Sequence, residues 1–258
     1  MLLPYGVAEI KPEKPDADNA DEGMSYLMAT FTDELWDASE SLRHQIYNLE
    51  FLTLLGNGTL PLEDFYFYMY QDSIYLANYS KALALVATHA DNSDAGAFWA
   101  RAASDAAAEE ILLHQSVLES DIERIPQRDR EPSPTCLAYF SYLVATAATT
   151  SYPIGAAAVL PCFWIYADVS SRIADSAKKV LSANPSHPYS QWVAEYDGIA
   201  FQESAEKAKE FVNAAAREAD QKTKKEMTTA FLRATRYELL FWQTAFDRHP
   251  WPSGTEIF

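Results

Sequence analysis

The segment "GAAAVLPCFWIYADVSSRI", Gly155 to Ile173, constrains the fold of this chain more than any other. From Ile154 to Ala167 it has no charged residue and none of the period-two alternation of a half-buried strand. It therefore reads as a helix that is apolar on most sides, and such a helix must be enclosed by others. It also carries three residues that a plain core helix does not need: Pro161, Cys162 and, one turn later, Tyr166. Pro161 cannot donate to the carbonyl of Ala157 and spreads that turn. Cys162 and Tyr166, at i and i+4, share a face.

The rest of the chain agrees with an all-helical reading. No segment shows sustained alternation with β-branched residues between turns, and we find no internal repeat, phosphate loop or dinucleotide fingerprint. Glycine is scarce, 8 in 258 residues, against a usual frequency of about 7%. A formal net charge of −17 argues against nucleic acid and anionic membrane surfaces as partners, because both need a basic footprint. Two cysteines, Cys136 and Cys162, make no disulfide framework. The amino terminus lacks the pattern of a signal peptide, and the apolar run is too short to span a bilayer, so a soluble cytoplasmic protein is expected.

Residues 1–23 are rich in Pro, Asp, Glu and Lys and read as a flexible lead. A single all-α domain is expected over 24–250, with a tail at 251–258. In its first part, Phe31, Leu35, Ala38 and Leu42 share one helical face. "LLGNGTLP" then breaks the chain, with Pro61 suited to a first helical position. Helices are predicted at about 61–90, from a Ser93 or Asp94 cap to 122, at 134–149 behind a Ser133 cap, and at 153–182, 188–201 and 202–220. A last helix runs to about 248, opening on the capping-box pattern "TKKE", Thr223 to Glu226.

Several polar or reactive residues sit on apolar helix faces. Tyr68, Asp72, Tyr75 and Tyr79 form one stripe beside the core residues Phe65, Leu76 and Leu83. A carboxylate there needs partners: Asp72 reads as a structural aspartate held by tyrosine hydroxyls or as a ligand-binding one. Cys162 reads as an inert packed thiol or as a nucleophile. Glu238, among Leu239, Leu240 and Phe241, reads as a carboxyl of raised pKa suited to acid–base work, or as an edge glutamate paired with Arg233 or Arg236. Glu110 and His114, four apart, could form half of a metal site or a solvated face.

Five stretches carry a resemblance: "YQDSIYL" at Tyr70, "AYFSYL" at Ala138, "LPCFWIYAD" at Leu160, "YSQWVAEY" at Tyr189 and "YELLFWQTAF" at Tyr237. In this order they are similar to the TenA family, the thiaminase II or aminopyrimidine aminohydrolase proteins of thiamin salvage, over roughly Phe31 to Phe246. The resemblance implies a heme-oxygenase-like helical bundle without heme, metal or other cofactor, assembled as a homotetramer. Its partner would be a small molecule, 4-amino-5-aminomethyl-2-methylpyrimidine or thiamin. By position it implies Cys162 as nucleophile, Glu238 as acid and base, and Asp72 as the grip on the aminopyrimidine edge. Tyr75, Tyr139, Tyr166 and Tyr196 would line the pocket, with His114 beside it. Retention of the cysteine places the chain in the cysteine-dependent branch.

One departure from the family pattern is His44-Gln45-Ile46, where His-Pro-Phe is usual. The lead could be the tail of an upstream domain, since some family members are fused to pyrimidine kinases. Two other readings share the scaffold: a metal-dependent oxygenase using inward His and carboxylate ligands, and a non-catalytic pyrimidine-binding protein.

Overall fold

The computed structural model describes residues 29–113, 123, 125–184, 189, 198–248 and 251. Among them there are α-helices, the 3₁₀ turn Gln127–Asp129, and no strand. The helices are α1 Phe31–Ala38, α2 Glu40–Tyr47, α3 Glu50–Asn57, α4 Leu62–Thr88, α5 Ser93–Leu113, α6 Pro134–Thr149, α7 Tyr152–Ala183, α8 Ile199–Glu218 and α9 Gln221–Asp247.

Local chemistry sets these boundaries. Thr30 caps α1 in a reciprocal capping box with Asp33. The expected continuous first helix divides at Ser39, whose hydroxyl donates to the Trp36 carbonyl (2.9 Å) and accepts from Arg43 Nε (3.1 Å). A side chain that bonds back into the backbone in this way competes with the helix ladder. Helix α3 stops at Gly58, which takes the left-handed conformation (φ 76°) that glycine adopts without steric cost. Pro61 is the cap residue of α4 rather than its first turn. The cap of α5 is Asn92, whose side chain accepts from Ala95 N at 2.9 Å, not Ser93 or Asp94. Ser133 and Pro134 open α6 as their sequence predicts.

Two boundaries differ further on. The predicted join between helices at 201 and 202 is absent, because Ile199–Glu218 is one helix. Helix α9 is capped by Asp220, which accepts from Thr223 N at 2.7 Å, so "TKKE" lies within its first turns.

Two helices make the core. Helix α4 packs against α5 and α6, and α7 against α9, α8, α6 and α3. From Ile154 to Pro161 every residue of α7 is buried, and the helix runs on through Pro161. By length and composition α7 could cross a bilayer (mean hydropathy 1.4), but 72% of that window is buried inside the protein. It is a core helix.

The α1–α2 pair is fastened to the far half of α7. Trp36 stacks on Trp164 at 4.2 Å between ring centroids, and the buried Arg43 guanidinium lies 3.7 Å over Trp36. Arg43 also donates to the Tyr47 hydroxyl (3.0 Å) and the Trp36 carbonyl (2.9 Å). Replacing Arg43 with Ala removes these bonds and the stacked cation together. It is expected to lower stability by about 2–4 kcal/mol, read by urea denaturation at unchanged m-value. A change within about 0.5 kcal/mol would show the fastening to be dispensable.

Candidate active site

The long helices bring their polar residues together in layers, one helical turn (about 5.4 Å) apart. In one layer the hydroxyls of Tyr68 (α4) and Tyr166 (α7) are hydrogen-bonded at 3.2 Å, and the Tyr166 ring lies 4.8 Å from that of Trp242 (α9). In the next are Asp72 and Tyr75 from α4, Cys162 from α7, Glu238 from α9 and Tyr139 from α6. A turn beyond, the Tyr79 hydroxyl donates to the Val159 carbonyl at 2.8 Å, near the turn that Pro161 spreads.

Burial sets the chemistry of the middle layer. Asp72, Tyr75, Tyr139, Tyr166 and Glu238 are each 3% exposed or less, and Cys162 in their midst is half-buried as a residue with its thiol enclosed. Glu238 accepts a hydrogen bond from the Tyr139 hydroxyl at 2.5 Å. Burial pushes its pKa up to about 8; the Tyr139 hydrogen bond works against that rise, and the nearby charge of Asp72 adds to it. The expected raised carboxyl is therefore found, and its partner is a tyrosine. Arg233, one of the alternatives, lies instead over the ring of Tyr142. Burial likewise pushes the Cys162 thiol well up, followed by the charge of Glu238 and then of Asp72. The hydroxyls of Tyr75 and Tyr79 favour the thiolate and oppose these. Cysteine, glutamate and aspartate thus converge in one field.

Aromatic rings wall this field. Tyr75 stacks on Tyr79 (5.4 Å) and on Tyr139 (4.9 Å), and Tyr139 stacks on Tyr237 (5.3 Å). The Trp242 indole nitrogen is buried without a hydrogen-bond partner. Such a group costs about 1–3 kcal/mol, and an orphan buried donor of this kind calls for an explanation.

Two supporting residues were not singled out by sequence reasoning. Gln71, 2% exposed, accepts from Ser133 N (2.7 Å) and donates to the carbonyls of Glu131 (2.9 Å) and Asp129 (3.3 Å). It ties the segment before α6, and through it Tyr139, to the helix that carries Asp72. A buried glutamine beside Asp72 was the available signal. Cys136 is buried, and its thiol donates to the Gln71 carbonyl at 3.5 Å.

His114 and Tyr196 lie outside the described residues, as do the side chains of Glu109 and Glu110. Among the described residues no three His, Cys, Asp or Glu side chains group as a metal site. At the unusual His44-Gln45-Ile46 triplet, Ile46 is in the core, while His44 and Gln45 line a surface cleft of about 670 Å³ with Glu40, Ser41, Asn48 and Gln243. A second cleft, about 430 Å³, runs along α8 from Ile199 to Glu210. Neither is lined by the polar cluster.

Residues 36–248 match the model of the TENA/THI-4/PQQC family. The chain is 34% identical over 221 residues to a thiamine biosynthesis multifunctional protein, ThiED, of Corynebacterium glutamicum; the match covers 86% of this chain and 27% of that one. This chain thus spans less than a third of that relative's length. It is 28% identical over 203 residues to an aminopyrimidine aminohydrolase of Bacillus subtilis, covering 78% of this chain and 83% of that one. Among solved structures, a TenA homologue from P. horikoshii OT3 superposes with a TM-score of 0.73 at 27% identity, covering 85% of this chain and 99% of the other. A domain with a heme oxygenase-like fold from Shewanella denitrificans superposes with a TM-score of 0.66 at 14% identity, covering 86% and 94%, which speaks to the fold alone. The bundle is of the heme-oxygenase-like type that the sequence led us to expect.

Proposed function

Since this chain belongs to the TENA/THI-4/PQQC family, we propose that it is a thiamin-salvage hydrolase of the cysteine-dependent kind. It would convert 4-amino-5-aminomethyl-2-methylpyrimidine to the hydroxymethyl compound, with thiamin as a second candidate substrate. The observation that carries this reading is the convergence of Cys162, Glu238 and Asp72, from three separate helices, inside one wall of stacked tyrosines. Relatives named for aminopyrimidine hydrolysis and thiamine biosynthesis support it.

The chemistry must replace a group on a CH2 attached to an aromatic ring, and direct displacement there is poor. Asp72 takes the amino group and a protonated ring nitrogen, which makes the ring an electron sink. The sulfur of Cys162 forms a bond to a ring carbon, and its proton passes to the pyrimidine, so aromaticity is lost. The ring electrons then expel the substituent of the exocyclic carbon as its bond breaks. Glu238, held protonated by burial, gives its proton to the departing amine. Water adds to the exocyclic carbon and returns a proton to Glu238. The sulfur–carbon bond breaks as the ring returns its proton to the sulfur, and the aromatic product leaves. One hard displacement becomes two additions and two eliminations.

The deciding assay follows ammonia and hydroxymethylpyrimidine release from the aminomethylpyrimidine, with thiamin run in parallel. Turnover of either supports the reading, and product from neither removes it. Asp72→Asn keeps the shape but can no longer accept from both donors of the ring edge. It is expected to weaken binding of the hydroxymethyl product by about tenfold to 100-fold, the loss of a charge-assisted hydrogen bond. Unchanged calorimetric affinity would take Asp72 out of the binding role.

A further inference from the structure

Trp242 has no part in the mechanism above, yet it is fully buried (0% exposed) and its indole N–H has no acceptor. It lies four residues after Glu238 on α9, so the two side chains share a face one turn apart. Its ring packs on Tyr166, which in turn lies one turn from Cys162 on α7 and is bonded through its hydroxyl to Tyr68. The indole therefore belongs to the layer that closes one end of the Cys162–Glu238 cluster.

The bound molecule offers few acceptors for such a donor. Asp72, on the α4 side, uses the amino edge of the pyrimidine. The acceptor nearest Glu238 is whatever oxygen stands on the exocyclic carbon, because that is the atom whose proton Glu238 handles. While still bonded to carbon, the amine protonated by Glu238 has no lone pair to offer, whereas the arriving oxygen has two, so an N–H at this place favours what arrives.

We infer that the indole N–H of Trp242 is the hydrogen-bond donor for the oxygen at the exocyclic carbon: the incoming water during hydrolysis and the hydroxyl of the product. This rests on the pyrimidine-hydrolase reading of the site. Trp242 is a binding and positioning residue that orients the water for Glu238.

A pair of ligands and a pair of proteins test it. Calorimetry compares 4-amino-5-hydroxymethyl-2-methylpyrimidine with 4-amino-2,5-dimethylpyrimidine, which lacks only the oxygen, on wild type and on Trp242→Phe. The variant is expected to bind the hydroxymethyl compound about threefold to tenfold more weakly, the worth of one neutral hydrogen bond, and the dimethyl compound equally well. Equal losses for both ligands, or none for either, would overturn the role of Trp242 and leave the site reading standing. Failure of wild type to bind either pyrimidine would overturn the site reading and this inference with it. If phenylalanine leaves a packing defect, the benzothiophene isostere of tryptophan at position 242 keeps the bicyclic shape without the N–H. It is expected to show the same ligand-selective loss.

Discussion

Replacing the sulfur of Cys162 with oxygen, Cys162→Ser, is expected to lower hydrolysis by about 10³-fold or more while leaving the fold and pyrimidine affinity in place. Three features of the site make the substitution severe. Burial above all holds the proton on the side chain at position 162, and ionisation of Glu238 or Asp72 beside it would hold that proton more firmly. A thiol, with an ordinary pKa of about 8.5, can still yield its proton as it attacks. A serine hydroxyl is far less acidic and finds no dedicated base, since Glu238 is itself held protonated. The hydroxyls of Tyr75 and Tyr79 offer too little to reverse this. The check is single-turnover product release on the aminomethylpyrimidine, with calorimetry of the hydroxymethyl product as the control for binding. Turnover near wild type would remove Cys162 as nucleophile, and a parallel loss of product affinity would make it a packing residue.

The second large effect is expected at Glu238. Glu238→Gln keeps the size of the side chain and its acceptor for Tyr139 but cannot carry a proton between substrate and water. The expected loss is about 10²- to 10⁴-fold in kcat, the span of general acid–base catalysis. A change confined to KM would make it a binding residue. The pH dependence provides a second signature. The acid step needs the carboxyl protonated, so wild-type kcat/KM, which reports the free enzyme, should fall as pH rises through about 8, where the carboxyl ionises. The glutamine variant should lose that limb.

Stability follows the same proton. An unfolded glutamate has a pKa of about 4.3, below the folded value, so the folded state binds the proton more tightly. The stabilisation this provides is fully present below about pH 4.3. It is lost progressively as the unfolded chain releases its proton, up to the folded pKa near 8, and is gone above it. Wild type should therefore melt at falling temperature between pH 5 and pH 8. Glu238→Gln should fall less over that range, and an identical slope would contradict the raised pKa.

Much of this site could be read along the chain because each of its pieces is local. The stripe of Tyr68, Asp72, Tyr75 and Tyr79 follows from helical spacing, and all four side chains are buried on α4. Cys162 and Tyr166 share a face for the same reason. At three of the places where local reading failed, a competing side chain was responsible. Ser39 divides the first helix by bonding to backbone and to Arg43, and Asn92 and Asp220 capture caps assigned to their neighbours. A capping hydrogen bond is worth about 1 kcal/mol, and near-equivalent candidates a residue or two apart differ by less.

The sequence alone determined the helical class, the buried character of α7 and which polar side chains share a helix face, since periodicity, composition and caps act over a few residues. Only the tertiary structure decided which faces meet. Glu238 pairs with Tyr139, 99 residues away, and not with the arginines beside it in the chain. Gln71 ties down the segment before α6, 58 to 62 residues away, and Trp242 is left with an unanswered N–H. The physical reason is that a buried polar group takes whatever partner the packing of distant helices brings within hydrogen-bonding distance, and separation along the chain does not encode that distance.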